Sequence, residues 1–295
     1  DYNTHKEFGS GDKICYHGIT DMFRIPKYAA SVYSSQIDPK LKAVLEPASL
    51  MAQGERNAAR ILPIHIFTNC DSVKLYKNGT LLDTFYPDKS TYPLLKHPPI
   101  VVRDLVGNQL EGMQFSKKDQ KTIRELIGFI MAYGEEKLTL KQRFKIFILL
   151  KRYKMTVAEG LTLFMNFMTG WGDEEQLYEF AGFVDGKEVA RKSYGTARAD
   201  RLLISADDTE LDSGDWDTTR VVLRLVDQHE NVLPFVNDYI EWEVTGPASI
   251  IGPEKTTLIG GVLGAWIKTT GEPGEIEIKA RCSRFESETI QIKVI

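Results

Sequence analysis

Residue types that support acid–base chemistry are concentrated at the start of the chain. Tyr2, His5, Glu7 and His17 lie in a polar stretch that glycines bracket. Catalysis by carboxyl groups needs two of them held close together, one as the acid and one as the base or nucleophile. Glu7 is the only glutamate before Glu46. We therefore do not expect Glu7 to be a catalytic residue.

The remaining histidines and all the cysteines lack the spacing of a metal site. No histidine is paired with another four residues away, and neither an HExxH nor a CxxC sequence occurs. Widely separated cysteines predict free, mostly buried thiols instead of a disulfide framework. The residues concerned are His65, His97, His229, Cys15, Cys70 and Cys282.

Two features of the C-terminal third could bind a ligand. Aspartates cluster between residues 207 and 217 and could hold calcium, but their spacing differs from an EF-hand and favours a solvated loop. Trp216 lies among them and is the tryptophan expected to be exposed, whereas Trp242 and Trp266 lie in apolar strands and are predicted to be core residues. We expect no metal site and no cofactor in this chain.

Two tight β-hairpins are predicted from dipeptides that tolerate positive φ. Asn78-Gly79 joins the strand-like runs 72–77 and 80–85, and Asp185-Gly186 joins the runs 176–184 and 187–193. Type I′ turns need positive φ at both central residues, which these dipeptides accept.

Between about residues 106 and 172 the apolar spacing becomes helical. Ser116, Thr139 and Thr156 each precede a carboxylate or amide by three positions, as in a capping box. Apolar residues follow each of them at helical spacing. The stripe of Phe and Met side chains, which includes Phe144 and Phe147, is predicted to be the core of a three-helix insertion and not a binding groove.

The rest of the chain has the pattern of short strands and turns. Residues 44–105 supply too few strands to close a sandwich, and residues 176–198 supply two more. The predicted fold class is therefore mainly β, with two immunoglobulin-like β-sandwiches. The first covers residues 38–199 and is interrupted by the helical insertion at about 106–172; the second covers residues 200–295.

The stretch from Gly18 to Gln36 has a different character. It contains a loop through Phe23, then Pro26 at an expected helix start, then an amphipathic run. This pattern resembles the segment that ends the catalytic (β/α)8 barrel in glycoside hydrolase family 2, the β-galactosidase and β-glucuronidase group. The two hairpins, and the run from Asp227 to Gly252, resemble in the same order the sandwich domains that follow that barrel.

This resemblance implies that the chain is the C-terminal, non-catalytic portion of a β-galactosidase-like enzyme. Residues 1–37 would be the last loop and helix of the barrel. The two catalytic glutamates of a retaining hydrolase would lie upstream, so no catalytic residue is expected here and the isolated chain should be inactive. The loop after the last strand would line the active-site face. Tyr2, His5 and His17 would then border the substrate, although His17 could equally be an exposed histidine paired with a carbonyl.

The resemblance also implies the partners. A β-galactoside or oligosaccharide would bind through the absent barrel, and both a bound cation in the parent enzyme and a homo-oligomer are left open. The alternative is an immunoglobulin-like module that binds carbohydrate or protein without catalysis; the barrel-like opening argues against it. The sequence also leaves open whether the parent protein is cytoplasmic or periplasmic in a bacterium.

Composition agrees with an ordinary globular protein. The chain has 295 residues, 42% of them hydrophobic, and a net charge of -4. This balance gives no electrostatic footprint for nucleic acid or an anionic membrane, and neither partner is expected.

Overall fold

The computed structural model describes residues 18–49, 51, 61–167, 177–234 and 236–295. Its contacts divide these residues into two compact units. The C-terminal unit contains residues 18–30 and 197–295, and the central unit contains residues 31–196. The boundary falls within the first helix, α1 (Tyr28–Ser34). Pro26 does not start this helix: it lies in an isolated β-bridge with Thr20.

The central unit contains two antiparallel sheets. The first has the order β1-β2-β5 and the second the order β4-β3-β6-β7. The strands are β1 (Leu45–Pro47), β2 (Ile64–Thr68), β3 (Ser72–Lys77), β4 (Thr80–Phe85), β5 (Ile100–Val102), β6 (Tyr178–Val184) and β7 (Lys187–Tyr194).

Both predicted hairpins are confirmed. Asn78 and Gly79 have φ values of 49° and 76° between β3 and β4, and Asp185 and Gly186 have 50° and 76° between β6 and β7. Positive φ at both central residues is the geometry that the sequence predicted.

Three helices lie between β5 and β6. They are α2 (Lys117–Tyr133), α3 (Leu140–Arg152) and α4 (Val157–Phe167). The predicted capping residues are in place: the hydroxyls of Ser116, Thr139 and Thr156 accept hydrogen bonds from the backbone N–H groups three residues later. Gly134, at φ 87°, ends α2.

The helices do not have a core of their own. Ile123, Ile127 and Met131 of α2 and Phe167 of α4 belong to the same buried cluster as the strands of both sheets. The expectation that the insertion packs around its own Phe and Met stripe is therefore wrong for α3. No residue of α3 is fully buried, and Phe144 and Phe147 are 62% and 53% exposed.

The C-terminal unit is also built from two sheets, of orders β12-β14-β10-β8 and β13-β11-β15-β16-β9. All pairs are antiparallel except β16 with β9. The strands are β8 (Arg201–Ala206), β9 (Glu210–Leu211), β10 (Thr218–Val226), β11 (Tyr239–Thr245), β12 (Ala248–Ile251), β13 (Lys255–Thr257), β14 (Val262–Thr269), β15 (Gly274–Arg281) and β16 (Glu288–Val294).

Alternating side chains of these sheets form the second core. On β15, Ile276, Ile278 and Ala280 are fully buried while the intervening residues are exposed or half-buried. Trp242 is buried as predicted, but Trp266 is only half-buried. The mainly β fold expected from the sequence is confirmed. Among the described helices, none is long and apolar enough to cross a membrane.

Candidate functional site

The residues predicted to border a substrate lie outside the described part of the chain. Tyr2, His5 and His17 all precede Gly18, as do Glu7 and Cys15. The structure does describe the segment that leaves this stretch, residues 18–27, and shows how it is held in the C-terminal unit.

Residues 18–27 fold back on themselves around Asp21. The buried carboxylate of Asp21 accepts hydrogen bonds from the backbone N–H groups of Phe23 and Ile25 at 2.8 and 2.9 Å. The N–H of Lys27 donates to the carbonyl of Ile19 at 2.8 Å and closes the turn. Burial raises the pKa of Asp21, although the two N–H donors and nearby cations oppose the increase. Its carboxylate thus defines the shape of the turn.

Phe23 fixes this turn on the outer face of the sheet that contains β10 and β14. Its side chain is 6% exposed and belongs to the core of the C-terminal unit. It rests on Gly264, where an added Cβ would lie 2.9 Å from the Phe23 side chain. Glycine at this strand position therefore makes the room that the aromatic ring needs.

Arg220 of β10 adds a polar contact to the same turn. Its Nη1 donates to the carbonyl oxygen of Phe23 at 2.6 Å, while Nε and Nη2 bind the two carboxylate oxygens of Asp207 at 3.0 and 2.9 Å. The neighbouring Arg224 is half-buried on the same face, and burial lowers its pKa. The charge-assisted hydrogen bond from Arg220 thus holds the turn against β10.

The other end of the barrel-like stretch is held in the central unit by Gln36. Its Nε2 donates to the carbonyl of His97 at 2.9 Å, and its Oε1 accepts from the N–H of His97 at 3.0 Å. Asn69 secures the chain that follows: its Oδ1 accepts from Val44 N–H and its Nδ2 donates to the carbonyl of Lys42, both at 2.8 Å. Sequence reasoning assigned no role to Gln36 or Asn69, because an amide side chain that pairs with distant backbone leaves no local signal.

A small hollow of about 360 Å³ lies beside this contact. The Nε2 atom of His97 is buried there without a hydrogen-bond partner among the described residues. His65 Nε2 lies 3.4 Å from the hydroxyl of Tyr92. Burial lowers the pKa of both histidines. The lining is completed by Val32, Ser35, Gln36, Phe67, Leu95 and Pro99.

A larger groove of about 660 Å³ runs beside α2 in the central unit. It combines charged and amide side chains with two aromatic rings at one end, Phe129 and Tyr133. The ring centroids lie 4.9 Å apart, and Tyr133 is 57% exposed. The other lining residues are Leu62, Pro63, Arg103, Asp104, Gly107, Glu111, Lys117, Gln120, Lys121, Arg124, Glu125, Gly128 and Ala132.

The aspartates of residues 207–217 are used within the protein. Asp212 accepts from the N–H of Gly214 at 2.7 Å, Asp217 accepts from the N–H of Asp212 at 3.2 Å, and Asp207 pairs with Arg220. Within the ranges that the structure describes, no three His, Cys, Asp or Glu side chains are grouped as metal ligands. Trp216 is exposed as predicted, with Lys268 Nζ 4.6 Å from its ring centroid.

The glutamates whose pKa values are shifted do not have the character of a general acid. Hydrogen bonds from Thr156 lower the pKa of Glu159, and the hydrogen bonds from Arg191 lower that of Glu188. A general acid at neutral pH needs the opposite shift. Neither Glu159 nor Glu188 therefore has the raised pKa of a general acid.

Comparison with known proteins identifies similar chains. Glycoside hydrolase family 2 C-terminal domain 5 matches residues 202–291. The β-galactosidase of Thermoanaerobacterium thermosulfurigenes is 36% identical over 264 residues, which cover 88% of this chain and 29% of that protein. The β-galactosidase of Thermoanaerobacter pseudethanolicus is 30% identical over 300 residues, covering 100% and 32%. A β-galactosidase sequence from Rhizobium radiobacter is 36% identical over 141 residues, covering 48% of this chain and 99% of that sequence.

Two solved structures show the same fold at low sequence identity. A β-glycosidase from Bacteroides vulgatus superposes with a TM-score of 0.58 at 14% identity, covering 99% of this chain and 30% of that one. A glycosyl hydrolase family 2 member from Bacteroides cellulosilyticus superposes with a TM-score of 0.53 at 11% identity, covering 94% of this chain and 31% of that one. The chain thus spans about a third of the length of the two Thermoanaerobacterium and Thermoanaerobacter relatives.

Proposed function

Because this chain belongs to glycoside hydrolase family 2, with its similarity in the C-terminal region, we propose that it is the non-catalytic C-terminal portion of a β-galactosidase-like enzyme. The parent would hydrolyse β-galactosides with retention, using two glutamates upstream of residue 1, about 5–5.5 Å apart. The relatives that support this proposal are named β-galactosidases.

Two immunoglobulin-like sandwiches and the end of a (β/α)8 barrel form the structural part of this proposal. Each unit contains two sheets around one buried cluster, which supports a sandwich architecture. The proposed limits remain 1–37, 38–199 and 200–295, with the helices as an insertion in the first sandwich.

We assign the C-terminal unit the task of holding the substrate-bordering loop. The single observation that carries this role is the burial of Phe23 on Gly264, together with the bond from Arg220 to the Phe23 carbonyl. A turn fixed at Phe23 would anchor the end of the proposed substrate-bordering loop, to which His17 belongs in the sequence. Groups near a substrate must be held to within a fraction of an ångström, so distant contacts of this kind affect turnover.

The isolated chain tests the non-catalytic assignment. We expect no hydrolysis of nitrophenyl β-galactoside above background, because both glutamates would be missing. Turnover that persists through rigorous purification and is abolished by Glu7→Gln would contradict the assignment.

Substitutions in the full-length enzyme test the positioning role. Arg220→Ala should lower kcat/KM by about tenfold, while the protein remains folded, because a misplaced active-site group costs rate even at a distance. Arg281→Ala is the matched control: it removes an arginine from an exposed ion pair with Glu243 on the other sheet of the same unit. Equal kcat/KM values for both variants would remove the positioning role and leave the family assignment intact.

A further inference from the structure

The groove beside α2 has walls that the fold holds in place. Asp104 accepts from the N–H of Val106 at 2.8 Å and from Nε of Arg124 at 2.5 Å, so one carboxylate ties the loop to the helix. Near the C-terminal end of α2, the N–H of Ile61 donates to the carbonyl of Met131 at 3.0 Å. A groove whose walls are already ordered loses little conformational entropy when a ligand binds.

One wall of the groove is α2 and the other is the loop of residues 103–111. Gly107 allows this loop to lie close to the central sheets. Its φ is +51°, and an added Cβ would lie 2.5 Å from the carbonyl oxygen of Leu82. Any other residue would clash with the backbone of β4, so the close approach of this part of the groove's lining to β4 depends on the glycine.

Phe129 and Tyr133 form an aromatic ledge at one end of the groove. Tyr133 is more than half exposed and its ring is inclined by 47° to that of Phe129. A second hollow of about 590 Å³ is lined by both rings together with Leu62, Ala132 and Lys137. The ledge therefore has open space on both sides, and α2 beside it is about 25 Å long, enough for a ligand of several units.

The charges of the groove select among ligand classes. Its lining carries four basic side chains and three acidic ones. The carboxylates of Glu111 and Glu125 would repel a phosphate chain or nucleic acid, and Arg124 is already paired with Asp104. A neutral ligand with many hydroxyl groups can pair with carboxylates, amides and guanidinium groups alike, and its C–H faces can pack on an aromatic ring.

We propose that this groove is a non-catalytic binding site for an oligosaccharide, with Tyr133 as the stacking residue. Gln120, whose Nε2 donates to the carbonyl of Phe115 at 3.1 Å, would accept a hydrogen bond from the sugar through its Oε1. The choice of a sugar rests on the proposed function, whereas the groove itself does not. The site would keep a polymeric or oligomeric substrate near the enzyme, which raises its local concentration.

Binding to the isolated chain, which contains the whole groove, tests this proposal. The probes are β-linked galacto-oligosaccharides from the disaccharide to the tetrasaccharide, followed by saturation-transfer NMR and calorimetry. We expect a Kd of about 1 mM or below for the tetrasaccharide and weaker binding of the disaccharide. Tyr133→Ala should weaken tetrasaccharide binding by about tenfold and Gln120→Ala by about threefold. Tyr133→Phe should retain it, because the ring remains.

Controls separate the groove from general effects. Tyr86→Ala removes another exposed tyrosine of the central unit, 68% exposed against 57% for Tyr133, and should leave binding unchanged. Circular dichroism and thermal melting establish that each variant is folded. Absence of sugar binding, equal loss in Tyr86→Ala and Tyr133→Ala, or tighter binding of inorganic polyphosphate than of sugar would each overturn the proposal. None of these results bears on the catalytic assay, so the β-galactosidase assignment would stand.

Discussion

Apolar side chains are buried on both faces of strand β10 in the C-terminal unit, whereas helix α3 of the central unit leaves some of its apolar side chains exposed. β10 buries residues on both of its faces: Val221 and Leu223 face the core, and Val222 is 3% exposed on the face that Phe23 covers. In α3, Leu149 packs against the central core while Phe144 and Phe147 point to solvent. An apolar side chain on the second face is therefore covered in β10, whereas apolar side chains on the second face of α3 are exposed.

This difference shows that apolar spacing alone does not specify burial. Val222 on the second face of β10 is shielded from solvent because the turn of residues 18–27 lies over it. Helix α3 is apolar on two sides, a composition more typical of helices that are covered all around. The charged residues of α3 are all basic: Lys141, Arg143, Lys145, Lys151 and Arg152. The four predictions below test how far the contrast extends.

The largest effect should come from two phenylalanines in these different settings. Phe23→Ala should lower the free energy of unfolding of the C-terminal unit by about 3 kcal/mol, because it leaves a cavity over Gly264. Phe144→Ala should change stability by less than about 0.5 kcal/mol, since its side chain already contacts water. Urea unfolding of both variants measures the difference. Similar losses would mean that Phe144 is covered in solution.

A smaller effect is expected where α3 is joined to α2. The carboxylate of Asp119 accepts hydrogen bonds from Tyr153 Oη at 2.7 Å, from Arg152 Nη1 at 2.5 and 2.7 Å, and from Ser116 Oγ at 2.8 Å. The hydrogen bond from Tyr153, followed by that from Arg152, lowers the pKa of Asp119 to about 2. Asp119→Asn should therefore cost about 2 kcal/mol at neutral pH.

The sign of the acid dependence follows from that lowered pKa. A carboxyl group whose pKa falls from 3.8 to about 2 on folding stabilises the folded state fully above pH 3.8, and this stabilisation is lost as the pH falls through 2. Helical circular dichroism should decline over this window in the native chain and less steeply in Asp119→Asn. An identical acid profile for both proteins would contradict the assignment.

The hollow beside Gln36 predicts a milder pH dependence near neutrality. Burial lowers the pKa values of His65 and His97 below 6.5, with Arg103 and Lys96 respectively adding to the effect and Asp38 and Asp71 opposing it at His97. Stability is fully present above pH 6.5 and is lost as the pH falls through the folded-state values.

Denaturant unfolding between pH 7 and 5 measures this loss. His97→Leu should reduce the pH dependence of the central unit, because it removes one of the two titrating rings and keeps the backbone bonds to Gln36. His229→Gln, in a turn of the C-terminal unit, is the control and should leave the central unit unchanged. A steeper pH dependence in His97→Leu would refute the role of the ring.

The smallest effect on stability concerns the exposed stripe itself. Phe144→Lys should leave the unfolding free energy within about 0.5 kcal/mol of the native value and should reduce binding of a hydrophobic dye. A matched Ile123→Lys exchange, at a residue 7% exposed in α2, should prevent folding of the central unit. Unchanged dye binding in Phe144→Lys would show that the stripe is not accessible.

Local sequence determined the tight turns, the helix caps and the longer strands of this protein. Asn78-Gly79 and Asp185-Gly186 set their hairpins because few other dipeptides accept positive φ twice. Thr139 with Gln142 forms a full capping box, since both partners lie within one helical turn. The resemblance of residues 18–36 to a barrel end also led to the family before any contact was known.

Tertiary structure alone decided what those elements contact. Periodicity gives the orientation of a side chain relative to its own element and says nothing of what lies opposite, so it could not distinguish the buried outer face of β10 from the exposed face of α3. Periodicity also gives no signal for β9, β12 and β13, because strands of two to four residues are too short to show alternation and form through pairing with other strands. The hydrogen bonds between Gln36 and His97 join residues 61 positions apart, and the packing of Phe23 on Gly264 joins residues 241 positions apart. Contacts between residues so far apart in sequence exist only once the chain has folded.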